Sequence, residues 1–200
     1  MLLTAAVPSY GFEDWLALRD KGVVRQKMDY SCGAAALATV LTYFYLDPVS
    51  EGALLEKTLN DRASELDSGS PKKGLSFSDM AMLAESRDYP VVGVDIVYDD
   101  LKKLSLPVIV ALQVEGRAHF SVLRKIDSQD RVFLADPSWG NRQLGREEFL
   151  RSFVREGGVS RGRILIVGSK DENGGRDAFR HRSPRRILIA PGQWSGLRVP

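Results

Sequence analysis

The order of patterns along this chain predicts an α+β fold. Helical periodicity fills the first half, strand-like runs rich in β-branched residues fill the second, and the character changes at Pro90 with no internal repeat. Two hundred residues, 44% of them hydrophobic and 27% charged, are enough for one globular domain with a sizeable core.

The elements follow in order. Residues 12–19 carry Phe12, Trp15, Leu16 and Leu18 in a short helical pattern that Gly22 ends, and Val23 to Gln26 read as extended. A helix is expected to begin at Cys32 and to run to about Tyr45, where Asp47-Pro48 closes it; its surface is apolar nearly all round, which predicts burial. A second helix covers about residues 50–60. The stretch from Asp61 to Gly74 is polar and reads as a surface loop. Ser76-Phe77-Ser78-Asp79 has the form of a capping box, predicting a helix to about Arg87. After Pro90, Val91–Val97 reads as a strand, residues 98–104 as a short helical turn and Pro107–Gln113 as a second strand. Residues 118–126 and 131–135 are two more strands joined by Asp127-Ser128-Gln129-Asp130. A helix at about 146–154 and a strand at 163–168 complete the body. From Ser169 onward the chain reads as a linker and an Arg-rich tail, partly disordered, with one strand candidate at Arg186–Ala190.

Composition excludes several function classes. The net charge is +2, but residues 170–200 carry seven Lys/Arg against three Asp/Glu, so the body over residues 1–169 is left at −2. Nucleic-acid binding by the body is therefore not expected. A single cysteine rules out an internal disulfide and a cysteine-rich zinc site, and no cofactor is expected. No apolar run approaches the roughly 20 residues of a membrane span. Residues 1–21 are an N-terminal arm whose mildly apolar start reads either as ordinary sequence or as the remnant of an export signal; localisation stays open between a periplasmic or secreted and a cytoplasmic chain.

That single cysteine is the chemically informative residue. The run Gln26-Lys27-Met28-Asp29-Tyr30-Ser31-Cys32-Gly33-Ala34-Ala35-Ala36-Leu37 passes from extended chain to helix at the sulfur. Unpaired N–H groups at a helix start favour negative charge, so a thiol there has a lowered pKa and serves as a nucleophile. Taken alone, a cysteine at an Ala-rich helix start is more often a small buried residue than a nucleophile. A nucleophile needs a base and an orienting group. Of the two histidines, His181 lies in the basic tail, whereas His119 opens a strand. Asp136 follows the paired strand, and a symmetric turn around residues 127–129 would set it directly opposite His119, within hydrogen-bonding range. Gln26, just upstream of the nucleophile, offers a side-chain amide for a developing oxyanion beside the backbone N–H of Cys32. Trp139 reads equally as a core plug or as a wall near the Asp, and Gly33 as an allowance for close helix packing.

These residues carry a resemblance. The run from Gln26 through Asp29-Tyr30-Ser31-Cys32-Gly33-Ala34-Ala35-Ala36-Leu37 resembles the nucleophile motif of the C39 cysteine peptidases, papain-like enzymes that remove double-glycine leader peptides. Ala118-His119-Phe120-Ser121-Val122 resembles their histidine strand, and Ala135-Asp136-Pro137-Ser138 with Gly140 their aspartate motif. Gly74-Leu75-Ser76-Phe77 and Leu106-Pro107-Val108-Ile109-Val110 match in order and spacing. The resemblance spans residues 22–168 and implies a papain-like fold, a helical half packed on an antiparallel sheet. It also implies Cys32 as nucleophile, His119 as base, Asp136 as orienter and Gln26 as oxyanion donor. With no membrane segment and no phosphate-binding Gly-Lys-Ser/Thr loop, the chain resembles stand-alone C39-like proteins, some of them exported, rather than transporter-fused ones. The expected partner is a peptide or precursor-protein substrate cut after small residues such as Gly-Gly, with an export or pilus-type system as the wider context. A non-catalytic peptide-binding module and another papain-like amide hydrolase or transamidase stay open as alternatives.

Overall fold

Six strands form one fully antiparallel sheet in the order β1-β6-β2-β3-β4-β5. The structure, a computed structural model, describes residues 15–61, 74–153 and 161–170. The strands are β1 (Val91–Val97), β2 (Val108–Val114), β3 (Arg117–Ile126), β4 (Val132–Asp136), β5 (Gly140–Leu144) and β6 (Arg161–Val167). The helices are α1 (Trp15–Asp20), α2 (Cys32–Thr39), α3 (Glu51–Asp61), α4 (Phe77–Glu85), α5 (Tyr98–Leu101) and α6 (Arg146–Phe153). The strand candidate at 186–190, the tail with His181, and most of the expected loop between Asp61 and Gly74 lie outside the described residues.

Alternation along the strands builds two cores. Ile109, Val122, Ala135, Leu165 and Val167 join α2, α3 and α4 on one face. Their neighbours Val108, Val110, Leu123, Leu134, Ile164 and Ile166 join α5 and α6 on the other. The expectation of a helical half on an antiparallel sheet holds for the first face. The second face has its own cover: Phe149 and Phe153 of α6 stack at 4.8 Å and are essentially inaccessible to water.

Every residue of α2 is buried, as its all-round apolarity requires. The α-helix ends at Thr39 and continues as a π-helical turn over Val40–Phe44, so the expected span to about Tyr45 is helical but not uniformly α. The capping box at α4 is complete: the Ser76 hydroxyl accepts from the Asp79 N–H at 3.2 Å, and the Asp79 carboxylate accepts from the Ser76 N–H at 2.7 Å. Strand β5 was not expected. Gly-Asn-Arg-Gln-Leu has no apolar alternation, because it lies at the sheet edge. Helix α1 packs on β5, with the Asn141 side-chain amide donating to the carbonyls of Leu18 and Lys21. Gly140 permits this contact: its φ is +80°, and a Cβ there would fall 2.7 Å from the Arg19 backbone oxygen.

Candidate active site

Cys32 is the first residue of α2 and is 8% exposed. A tight turn delivers it. The buried Ser31 hydroxyl donates to the Met28 carbonyl at 2.8 Å and accepts the Met28 N–H at 3.2 Å. Ser31 is thus occupied with the turn and does not cap the helix with its side chain, which leaves the first N–H groups of α2 available at the site. Gly33 brings the helix start close to its neighbours: a Cβ there would sit 3.1 Å from the Leu75 carbonyl and 3.3 Å from the Phe120 ring.

His119 lies near the start of β3, and Asp136 ends β4. Imidazole Nε2 and carboxylate Oδ2 are 3.0 Å apart, and Asp136 is fully buried. The other Asp136 oxygen accepts the backbone N–H groups of Ser138 at 2.8 Å and Trp139 at 3.1 Å. The imidazole also acts on the Cys32 thiol, and each group stabilises the charged form of the other. With Nε2 on the carboxylate, Nδ1 is the nitrogen left for the sulfur. The pair is not directly opposed across the strands. Val122 pairs with Ala135, so the same register sets Asp136 against Ser121 and His119 two residues beyond. The reason is a turn centred later than the symmetric one expected: Ile126 pairs with Val132, and the Asp127 carboxylate accepts from the Gln129 and Arg131 N–H groups. The bulge between Leu123 and Lys125 then takes back one residue of the offset.

Charge follows geometry. Burial pushes the Cys32 thiol up, but the His119 imidazole and backbone hydrogen bonds from Phe120 and Gly33 overcome it, leaving the thiol below its ordinary value. Burial works against the His119 cation, yet Asp136 and Cys32 together push its pKa up to about 9. Burial would likewise raise the Asp136 carboxyl; His119 and the two N–H donors hold it below the usual carboxylate range. The arrangement suits a thiolate beside an imidazolium.

Gln26 sits on the segment leading to the turn. Its backbone N–H donates to the Pro137 carbonyl at 3.1 Å, and Arg25 donates to the Ser138 carbonyl, so this segment is fastened to the loop after Asp136. The Gln26 amide nitrogen donates to the Met28 carbonyl at 3.0 Å, and its oxygen accepts the Ser138 hydroxyl at 2.7 Å. The next residue, Lys27, donates its N–H to the buried Glu51 carboxylate at 3.0 Å.

Trp139 is 44% exposed and is not a core plug. Its ring meets His119 edge-on at 5.3 Å and carries the Arg142 guanidinium at 4.8 Å, so it walls the imidazole. Among the described residues no group of three or more His, Cys, Asp and Glu side chains could hold a metal ion, and no helix is long and apolar enough to cross a membrane. The structure bonds His119 to Asp136, sets the imidazole to act on the Cys32 thiol, and puts Gln26 on the adjoining segment. The Ser138 side chain escaped the sequence reading, because a hydroxyl after Pro reads as a turn former. Its only signal was its place inside the aspartate motif.

Residues 20–156 match the sequence model of the peptidase C39 family. A relative from Pseudomonas fluorescens described as a probable functional amyloid protease, FapD, is 36% identical over 66% of this chain and 57% of its own length. Its counterpart in Pseudomonas aeruginosa is 34% identical over 66% and 56%. The chain thus spans a little over half the length of these curated relatives. The peptidase domain of Streptococcus ComA, a bifunctional ABC transporter of a quorum-sensing pathway, shares the fold, with a TM-score of 0.58 at 19% identity over 72% of this chain and 96% of its own. A double glycine motif protease from an AMS/PCAT transporter, solved with its leader peptide, gives a TM-score of 0.51 at 25% identity over 72% and 89%.

Proposed function

The chain belongs to the peptidase C39 family, and on that premise we propose that it is a cysteine peptidase using Cys32 as nucleophile, His119 as base and then acid, Asp136 as orienter and Gln26 as oxyanion donor. The observation that carries this reading is the 3.0 Å bond from His119 to a fully buried Asp136, with the same imidazole holding the thiol below its ordinary pKa. In the first step the Cys32 thiolate adds to the peptide carbonyl carbon. The oxyanion takes hydrogen bonds from Gln26 Nε2 and the Cys32 backbone N–H. The imidazolium then gives its proton to the departing amine as the C–N bond breaks, leaving a thioester. Water, losing a proton to the neutral imidazole, attacks the thioester; the acid leaves, and thiolate and imidazolium are restored. Asp136 keeps the imidazole in the tautomer and orientation that both halves need.

The proposed substrate is a leader or precursor peptide cut after small residues such as Gly-Gly. Support comes from the likeness to the double glycine motif protease and from the Trp139 ring that meets His119 edge-on at 5.3 Å and walls the imidazole. The relatives described as functional amyloid proteases point to a precursor from such an amyloid system as the partner class. Purified chain should be incubated with a synthetic peptide carrying Gly-Gly and the products read by mass spectrometry. Hydrolysis after Gly-Gly that iodoacetamide abolishes supports the reading. An intact peptide that still binds the alkylated and unalkylated chain equally favours a binding module instead.

A further inference from the structure

The chemistry above needs the Gln26 amide to face a substrate in one of its two orientations, and the hydrogen bonds around it select that orientation. The Met28 carbonyl can only accept, so the amide NH2 must lie on that side and the amide oxygen on the other. The Ser138 hydroxyl, 2.7 Å from that oxygen, is then its donor. One Nε2 hydrogen is spent on Met28; the other has no acceptor among the described residues and is the one available for an oxyanion. Ser138 is also tied to the acid–base pair, because its backbone N–H donates to Asp136 Oδ1 at 2.8 Å and its carbonyl accepts from Arg25. One residue therefore joins the oxyanion donor to the carboxylate that orients the base.

We infer that Ser138 is a positioning residue whose hydroxyl holds the Gln26 amide with its free N–H toward the developing oxyanion. This rests on the peptidase reading. A glutamine side chain left to rotate would have to be ordered during the reaction, and when flipped would present an oxygen to an oxyanion. Ser138→Ala removes the hydroxyl alone and keeps the backbone N–H on Asp136.

The test compares wild type, Ser138→Ala, Ser138→Thr, Gln26→Ala and the double variant on the synthetic Gly-Gly peptide. Ser138→Ala should lower kcat by about 3- to 15-fold with KM nearly unchanged. Ser138→Thr should restore most of the rate, and adding Ser138→Ala to Gln26→Ala should cost nothing further. Alkylation of Cys32 by iodoacetamide forms no oxyanion, so its rate and pH dependence should not move. Independently of turnover, the Gln26 side-chain 15N amide signals should be ordered in wild type and averaged by fast motion in Ser138→Ala. A wild type that leaves the peptide intact overturns the peptidase reading, and the amide signals then decide the placement alone. Unchanged kcat, an additive loss on the Gln26→Ala background, slowed alkylation or unmoved amide signals would each overturn the role given to Ser138.

Discussion

The Cys32 thiol lies below its ordinary pKa because the influences of three neighbours outweigh the adverse one of burial. Burial alone would leave it an inert thiol, yet the imidazole and two backbone hydrogen bonds reverse the sign. The reactive form exists between two limits. Below the lowered thiol pKa the sulfur is protonated, so activity rises with pH through that value; above about 9 the imidazolium loses the proton it owes to the leaving amine, so activity falls. Turnover against pH should accordingly trace a bell whose acid limb lies below the ordinary thiol range and whose alkaline limb is near 9. Asp136→Asn should leave the fold intact but cut kcat by about 10²- to 10⁴-fold, because the amide stabilises neither the imidazolium nor the required tautomer. Steady-state rates with circular dichroism as the folding control would check this. At this scale Cys32, His119, Asp136 and Gln26 could be picked out from residue chemistry, since only one thiol and two imidazoles needed sorting. Ser138 could not, because its role depends on which way an amide turns.

At the scale of elements, the site is held by contacts between pieces that sequence reading separates. The Gln26 segment is bonded to the loop between β4 and β5 through Pro137 and Ser138, and Arg25 and Arg19 both reach Asp20 at the end of α1. Helix α1 and β5 therefore buttress the loop that carries Asp136. Gly140→Ala combines a positive φ with overlap against Arg19 and Asp20 and should cost about 1–3 kcal/mol, measured by chemical denaturation, with a slower turnover in the folded fraction. The helix starting at Cys32 was legible from its unbroken apolar run, and the capping box of α4 from its spacing. Strand β5 was not, since an edge strand of polar residues leaves no periodic trace. The register of β3 against β4 differs by two residues from the symmetric expectation, because the turn is centred later than residues 127–129 and the bulge after Leu123 recovers only one residue of that shift.

At the largest scale, the described residues form one sheet with a core on each face, and the strands are common to both. Loss of packing on the face away from α2 should therefore weaken the active-site face as well. Phe149→Ala should destabilise the fold by about 3–5 kcal/mol. Its unfolding midpoint read by far-UV circular dichroism should coincide with the midpoint at which iodoacetamide alkylation of Cys32 takes on the pH dependence of an ordinary thiol. Separate midpoints would mean that the two faces melt independently. The second core was not legible in the sequence: the runs of β2, β3, β4 and β6 mark strands, but which helices cover each face depends on the crossover that inserts β6 between β1 and β2.

The account stands on a sulfur made anionic by the imidazole beside it. The rate of Cys32 alkylation by iodoacetamide, followed against pH in wild type and in His119→Ala, tests that directly. The predicted result is an inflection below the ordinary thiol pKa in wild type that moves upward when the imidazole is removed. An inflection at the ordinary thiol value in wild type, unmoved by His119→Ala, would contradict it.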